Sequence, residues 1–193
     1  MPDTAAPAPT AAQAAREVLA LEARALDALA AELPADFAAT VDLVLNTAGR
    51  VIVSGVGKSG HVGRKISATL ASTGTPSYFV HAGEASHGDL GMITRVDLVL
   101  ALSNSGTTAE IITLLPLIKR MGLPLISMTG NPDSILAQAS EAHLDVRVPS
   151  EACPLGLAPT TSTTATLVMG DALAIALLEA RGFTAEDFAF SHP

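Results

Sequence analysis

The chain has 193 residues, 49% of them hydrophobic and only 3% aromatic, with no Trp, so its core must be built from aliphatic side chains. A formal net charge of −8 argues against nucleic acid or an anionic membrane as the main partner, and it requires any phosphate site to be locally positive. The single cysteine, Cys153, excludes an intramolecular disulfide framework and fits a reducing compartment. No charged segment followed by an apolar core opens the chain, and no apolar run reaches membrane-spanning length, so a cytoplasmic protein is expected.

Taken in order, Met1–Thr10 is rich in Pro and Ala and reads as a disordered tail, with one domain over 11–193. Ala11–Leu33 is a helix of strong helix formers with Val18, Leu19, Leu21, Leu26 and Leu29 as its apolar side, ended by Pro34. Phe37, Val41, Val44 and Leu45 mark a second helix ending near Gly49. The apolar faces of both must pack on the domain or on another subunit. Strands and helices then alternate: a strand at Arg50–Ser54, a helix at Ser59–Thr73, a strand at Ser77–His81 and a short helical piece at Glu84–Leu90. A strand at Asp97–Leu102, a helix at Thr107–Met121, a strand at Leu123–Thr129 and a short helix at Pro132–Ser140 follow. A fifth strand is expected at His143–Val148, then helices at Thr161–Arg181 and Thr184–Phe190. This alternation predicts a three-layer αβα sandwich around a five-stranded parallel sheet, flavodoxin-like and preceded by helices.

Two stretches stand out, Val51–Gly60 (VIVSGVGKSG) and Val99–Glu110 (VLALSNSGTTAE). Each is a β-branched or aliphatic run that stops in glycine and hydroxyl residues and then turns helical. That is a strand, a tight turn and a helix N-terminus, whose free N–H groups suit phosphate. Both turns sit at strand carboxyl ends, where open parallel sheets bind ligands. Gly55, Gly57 and Gly60 spell a dinucleotide fingerprint, but the next strand ends Tyr78-Phe79-Val80-His81-Ala82 without the carboxylate that would hold a ribose. Gly57-Lys58-Ser59 resembles a nucleoside-triphosphate loop, but Ile52 stands where that loop needs glycine.

The motifs GVGKSGHVGRK, STGTPSYFVHAGEASHGDLGM, SNSGTTAE, EACPLGLAPTTSTTATLVMGDALA and RGFTAEDFAFSHP together resemble the sugar isomerase (SIS) domain, and within it the D-arabinose 5-phosphate isomerases. The resemblance runs from Gly55 to Pro193 and leaves out the CBS pair into which many such enzymes continue. The loop carries Thr107-Thr108 where many relatives have Glu-Ser. It implies conversion of D-arabinose 5-phosphate to D-ribulose 5-phosphate through a cis-enediol, supplying the precursor of Kdo and lipopolysaccharide. No cofactor or essential metal is expected.

Residue by residue, Gly57, Ser59, Ser103, Ser105, Gly106 and Thr108 would bind phosphate, although Thr107-x-x-Glu110 could equally be a capping box. Lys58, one of three lysines, would meet phosphate or a developing oxyanion. Glu151 is read as the proton-transferring base and Glu110 as a further site carboxylate. His192 would open the sugar ring, with His87 as auxiliary acid, base or orienter. His61, His81 and His143 read as structural, Cys153 as a small packed residue, and Thr160–Thr164 as the cap of the long helix. His87, Glu151 and His192 could also gather an inhibitory zinc. A homotetramer with at least one of the two histidines supplied by a neighbour is expected, with a phosphorylated pentose as partner and neither nucleic acid nor membrane. The rival reading is a non-catalytic phosphosugar sensor or an isomerase of another sugar phosphate.

Overall fold

The computed structural model describes residues 9–85 and 87–191. Two helices lead, α1 (Ala11–Ala31) and α2 (Phe37–Leu45). They are followed by β1 (Val51–Gly55), α3 (Gly57–Ser72), β2 (Ser77–His81) and α4 (Ala82–Ala85), then a 3-10 turn at Asp89–Met92. The second half runs β3 (Leu98–Leu102), α5 (Ala109–Met121), β4 (Leu125–Thr129), α6 (Ile135–Ala139), β5 (Ala142–Asp145), α7 (Thr161–Arg181) and α8 (Ala185–Ser191). All five strands are parallel in the order β2-β1-β3-β4-β5, so the expected αβα architecture is the one observed.

Strand alternation sends side chains to two cores. Val51 and Val53 of β1, Leu98, Leu100 and Leu102 of β3, and Ile126 and Met128 of β4 face one layer, formed by Ile66 and Leu70 of α3, Val44 of α2, and Met169 and Leu173 of α7. Ile52, Val99, Ala101 and Leu125 face the other, formed with Ala82 and Ala85 of α4, Ile111, Leu114 and Ile118 of α5, and Leu136 of α6. The leading helices use different supports. α2 lies on β5 and α7, whereas α1 packs mainly on α7, with Ala25 buried and Leu19 70% exposed.

Several boundaries differ from the sequence expectation for identifiable reasons. Thr10 is not tail: its hydroxyl caps α1 in a capping box with Gln13, while residues 1–8 lie outside the described chain. Glu84–Leu90 is not one helix, because Gly88 at φ +129° breaks it. β5 starts and stops early, at Ala142 and Asp145; Val146 N–H makes the last bond to β4, at the Thr129 carbonyl (2.9 Å), before β4 turns away.

α3 and α7 run side by side in the same direction. Gly170 of α7 faces Ile66 of α3, and Arg181 Nε donates to Thr75 Oγ1 at 3.1 Å just beyond the end of α3. The N-termini of α3 and α7 therefore lie at one end of the sheet, the carboxyl end of the strands. A Cβ on Gly170 would lie 2.4 Å from Ile66 Cγ1. Ile66 is fully buried, so its branched side chain has little room to retreat. Gly170→Ala should lower the unfolding free energy by about 1–2 kcal/mol in denaturant titration, the overpacking outweighing alanine's better helix propensity; equal or higher stability would show that this helix contact is loose.

Candidate functional site at the carboxyl end of the sheet

Gly55 pairs with Leu102 on one side and with His81 on the other, so β1, β2 and β3 end level. The strand order reverses between β1 and β3, which opens a crevice between the two glycine/hydroxyl loops.

The loop after β3 is held by its own hydroxyls. Ser103 N–H donates to the Met128 carbonyl (3.1 Å), continuing the sheet by one bond. Gly106 N–H donates to both the Ser103 carbonyl and Ser103 Oγ at 3.0 Å, and Ser103 Oγ lies 2.7 Å from Thr108 Oγ1. Gly106 has φ +65°, and a Cβ there would lie 2.0 Å from Ser134 Oγ, so glycine is required twice over. Ser105 Oγ accepts from both the N–H (3.2 Å) and the hydroxyl (3.1 Å) of Thr107. With both lone pairs occupied, Ser105 keeps its proton to donate outward, as an anion requires. Because Thr108 is drawn into the loop, α5 begins at Ala109, two residues later than expected, and no side chain caps it. The capping box of Thr107 with Glu110 does not form. The uncapped end of this 13-residue helix thus faces the crevice. Ser103, only 3% exposed, braces the loop, whereas Asn104, Ser105 and Thr107 are exposed.

The loop after β1 is a single turn. Gly57 at φ +58° starts α3, also without a side-chain cap, and puts Lys58 on the exposed surface and half-buried Ser59 at the helix start. A Cβ on Gly60 would lie 3.0 Å from the Gly55 carbonyl oxygen, and one on Gly63 3.1 Å from the Phe79 ring. These glycines let α3 approach β1 and β2 closely, which explains the fingerprint spacing without a dinucleotide.

Glu151 lies between β5 and α7 and caps α7. Its Oε2 accepts from Thr160 N–H (2.7 Å), Thr160 Oγ1 (3.0 Å) and Ser162 N–H (3.2 Å), and its Oε1 accepts from Ser162 Oγ. The hydroxyl run expected to cap this helix does not do so itself: Thr160 makes no side-chain cap, and Glu151 accepts the N–H groups of Thr160 and Ser162 instead. Burial pushes the carboxyl up, but the bonds from Ser162 and Thr160 outweigh it and hold it below the ordinary carboxylate range. Glu110 is exposed in the first turn of α5.

The histidines divide as follows. His87, exposed, sits in the turn after α4, with its N–H on the Glu84 carbonyl (2.9 Å). His81 Nδ1 accepts from Gly83 N–H (3.1 Å), a structural use, and His61 is exposed on α3. His143 is half-buried and bonded to Thr129 (2.9 Å). His192, and with it the proposed zinc set, lies outside the described residues, among which no three His, Cys, Asp or Glu side chains gather for a metal. Half-exposed Cys153 has its thiol held below its ordinary value by surrounding backbone N–H groups, Ala158 and Leu155 first. The turn after β4, which supports the phosphate loop, escaped the sequence reading; only the Thr129-Gly130-Asn131-Pro132 turn signal pointed there.

A hollow of about 950 Å³ lies elsewhere, lined by Arg50, Pro76, Ser77 and Tyr78 together with Phe183 and Phe190. It is at the amino ends of β1 and β2, where α8 also lies, and offers none of the loop donors. Those donors lie instead at the carboxyl end of the sheet.

A capping carboxylate whose proton affinity falls on folding stabilises the fold above its unfolded pKa, and the gain vanishes as pH falls through the folded value. Glu151→Gln should therefore cost about 1–2 kcal/mol of stability at neutral pH. The gap to the wild type should close below roughly pH 4. Denaturant titrations across pH check this, and a pH-independent gap would show that the charge is irrelevant to the cap.

A family model described as SIS domain matches residues 44–176. The arabinose 5-phosphate isomerase KdsD of Pseudomonas aeruginosa is 70% identical over 179 residues, 93% of this chain and 55% of that protein. The protein of the same name from Salmonella typhi is 60% identical over 181 residues, 94% of this chain and 55% of its own length. The chain thus spans about half the length of the curated relatives it matches. A solved structure of an E. coli CFT073 protein in complex with A5P superposes with a TM-score of 0.90 at 46% identity, covering 93% of this chain and 95% of that one. With the sheet order, the two loops and this match over its central 44–176 segment, the chain belongs to the SIS domain family.

Proposed function

We propose that the protein is an aldose–ketose isomerase interconverting D-arabinose 5-phosphate and D-ribulose 5-phosphate, acting in the cytoplasm to supply the Kdo precursor of lipopolysaccharide. The observation that supports this reading is the hydroxyl-braced loop after β3, at the same end of the sheet as Lys58, in a chain that matches over 93% of its length a protein solved with A5P.

In this reading the phosphate rests on the outward hydroxyl of Ser105, the backbone of the loop and the uncapped start of α5, near Lys58 and Ser59. The sugar then extends toward Glu151. Glu151 Oε2 already accepts three hydrogen bonds, whereas Oε1 accepts one and keeps a lone pair. Oε1 removes the proton from C2 of the open-chain aldose, and the electron pair forms the C1=C2 bond of a cis-enediolate as O1 gains negative charge. Lys58 stabilises that charge. The proton returns to C1 while the O2 proton passes to O1, so C1 is reduced and C2 oxidised with no external redox partner. Glu110 orients the sugar hydroxyls, and His87 and His192 serve ring opening and oxygen-to-oxygen proton transfer. No resident metal is required.

The protein is further proposed to be a homotetramer. α1 leaves Leu19 and Val18 exposed and α7 leaves Ile175 and Val168 exposed, apolar surface suited to a second copy. α8 runs at the amino end of the sheet, away from its own crevice, which favours delivery of His192 to a neighbouring subunit.

Incubation with D-arabinose 5-phosphate should yield D-ribulose 5-phosphate, whereas pentose 5-phosphate epimers should react poorly. Binding without turnover would instead fit a sensor. Lys58→Ala should lose activity while retaining its fold; unchanged activity would return Lys58 to the surface. Glu151→Gln should lose turnover on the order of 10²–10⁴-fold, and a change confined to KM would remove its role as base. Mixed His87→Ala and Glu151→Ala proteins, or His192→Ala and Glu151→Ala proteins, should regain partial activity; no recovery after proven subunit exchange would place the whole site in one chain.

A further inference from the structure

Behind the phosphate loop lies a second layer, the turn that leaves β4. Thr129 at its start is fully buried, and its hydroxyl has three partners. It donates to the Asn131 carbonyl at 2.8 Å and accepts from Asn131 N–H at 3.0 Å. The third partner is His143 Nε2 at 2.9 Å. A hydroxyl has one proton and two lone pairs, and the carbonyl takes the proton. His143 must therefore carry its hydrogen on Nε2 and donate it. Its backbone N–H is in turn held by Asp36 Oδ2 at 2.9 Å, from the junction of α1 and α2.

What this clamp holds gives it importance. The Thr129 hydroxyl grips both the N–H and the carbonyl of Asn131, which fixes Gly130 between them. Gly130 N–H donates to the Asn104 carbonyl at 2.9 Å. The approach is so close that a Cβ on Gly130 would lie 2.7 Å from Asn104 Oδ1. Beyond that turn, at the start of α6, Leu136 N–H donates to the Gly106 carbonyl at 3.1 Å. The Thr129 methyl lies 3.4 Å from where a Gly106 Cβ would be. The phosphate loop thus rests on the β4 turn at Asn104 and Gly106, the residues flanking Ser105.

We propose that Thr129 and His143 are positioning residues, which keep the β4 turn rigid beneath the phosphate loop and so set phosphosugar affinity without touching the sugar. The proposal rests on the phosphosugar reading of the crevice. Loosening the support disperses the loop donors before binding. It leaves the acid–base groups unaltered once substrate is bound, so the effect falls on affinity rather than on turnover.

The test combines kinetic constants for D-arabinose 5-phosphate with calorimetric binding of D-arabinitol 5-phosphate, which keeps the phosphate but has no carbonyl. His143→Ala should raise both KM and Kd by about fivefold to tenfold, the worth of one hydrogen bond. Its kcat should stay within about twofold of wild type. Thr129→Val, which keeps the shape and removes the hydroxyl, should reproduce the loss. His143→Gln can place an amide N–H where Nε2 stood and should restore affinity. Unchanged KM and Kd in folded His143→Ala and Thr129→Val proteins would overturn the proposal. So would a fall in kcat at constant KM, or a glutamine variant no better than alanine. If His143→Ala does not fold, Thr129→Val and His143→Gln decide the matter. A wild-type protein that binds the alditol phosphate without turning over the aldose would refute the isomerase reading, while the Kd comparison would still judge the support.

Discussion

The pairing of Gly55 with Leu102 is the constraint on which the rest of the site depends. Parallel strands that end level present their following loops side by side, and the reversal of strand order between β1 and β3 keeps any helix from filling the gap. The two helices that start there, α3 and α5, both lack side-chain caps. Their first N–H groups therefore stay free of side-chain caps, and the positive ends of two helix dipoles meet at one end of the sheet in a protein of net charge −8. That geometry is what the proposed phosphate site relies on, with the exposed Lys58 at the start of α3 as its cation.

Rigidity behind the loops matters as much as the donors in front. The Ser103–Thr108 bond, the double acceptance by Ser105 and the contact of Gly106 with Ser134 leave the loop few ways to relax. Donors held in place beforehand lose little entropy when a dianion arrives. Glu151 is fixed in a comparable way by Thr160 and Ser162, so the starts of α5 and α7 bring uncapped N–H groups and a carboxylate to the same end of one sheet.

The fold was legible because its signals are local: the aliphatic runs of β1 and β3, their glycine/hydroxyl stops and the alternation with helical segments. The phosphate loop was legible for the same reason. Other features depend on side-chain hydrogen bonds that no periodic pattern encodes. Glu151 could be picked out as a loop carboxylate, but its capping of α7 through Thr160 and Ser162 arises only when the 152–159 loop closes on the helix start. The start of α5 was misplaced because Thr108 answers to Ser103 rather than to its own helix. The Thr129–His143 clamp joins strands through a buried hydroxyl, and no sequence pattern encodes such a pair. The fingerprint glycines Gly55, Gly57 and Gly60 failed the dinucleotide reading for want of a carboxylate, and the Gly60 contact with Gly55 shows the close helix–strand approach that this glycine serves.

The most direct test of this account is an amide ¹H–¹⁵N titration of the deuterated protein with D-arabinitol 5-phosphate. The account predicts shifts concentrated at Gly57–Gly60 and Asn104–Glu110, with the amides of Arg50, Ser77 and Tyr78 at the far end of the sheet unmoved. Shifts centred on the hollow around Arg50 and Phe183, with the β1 and β3 loops silent, would contradict it.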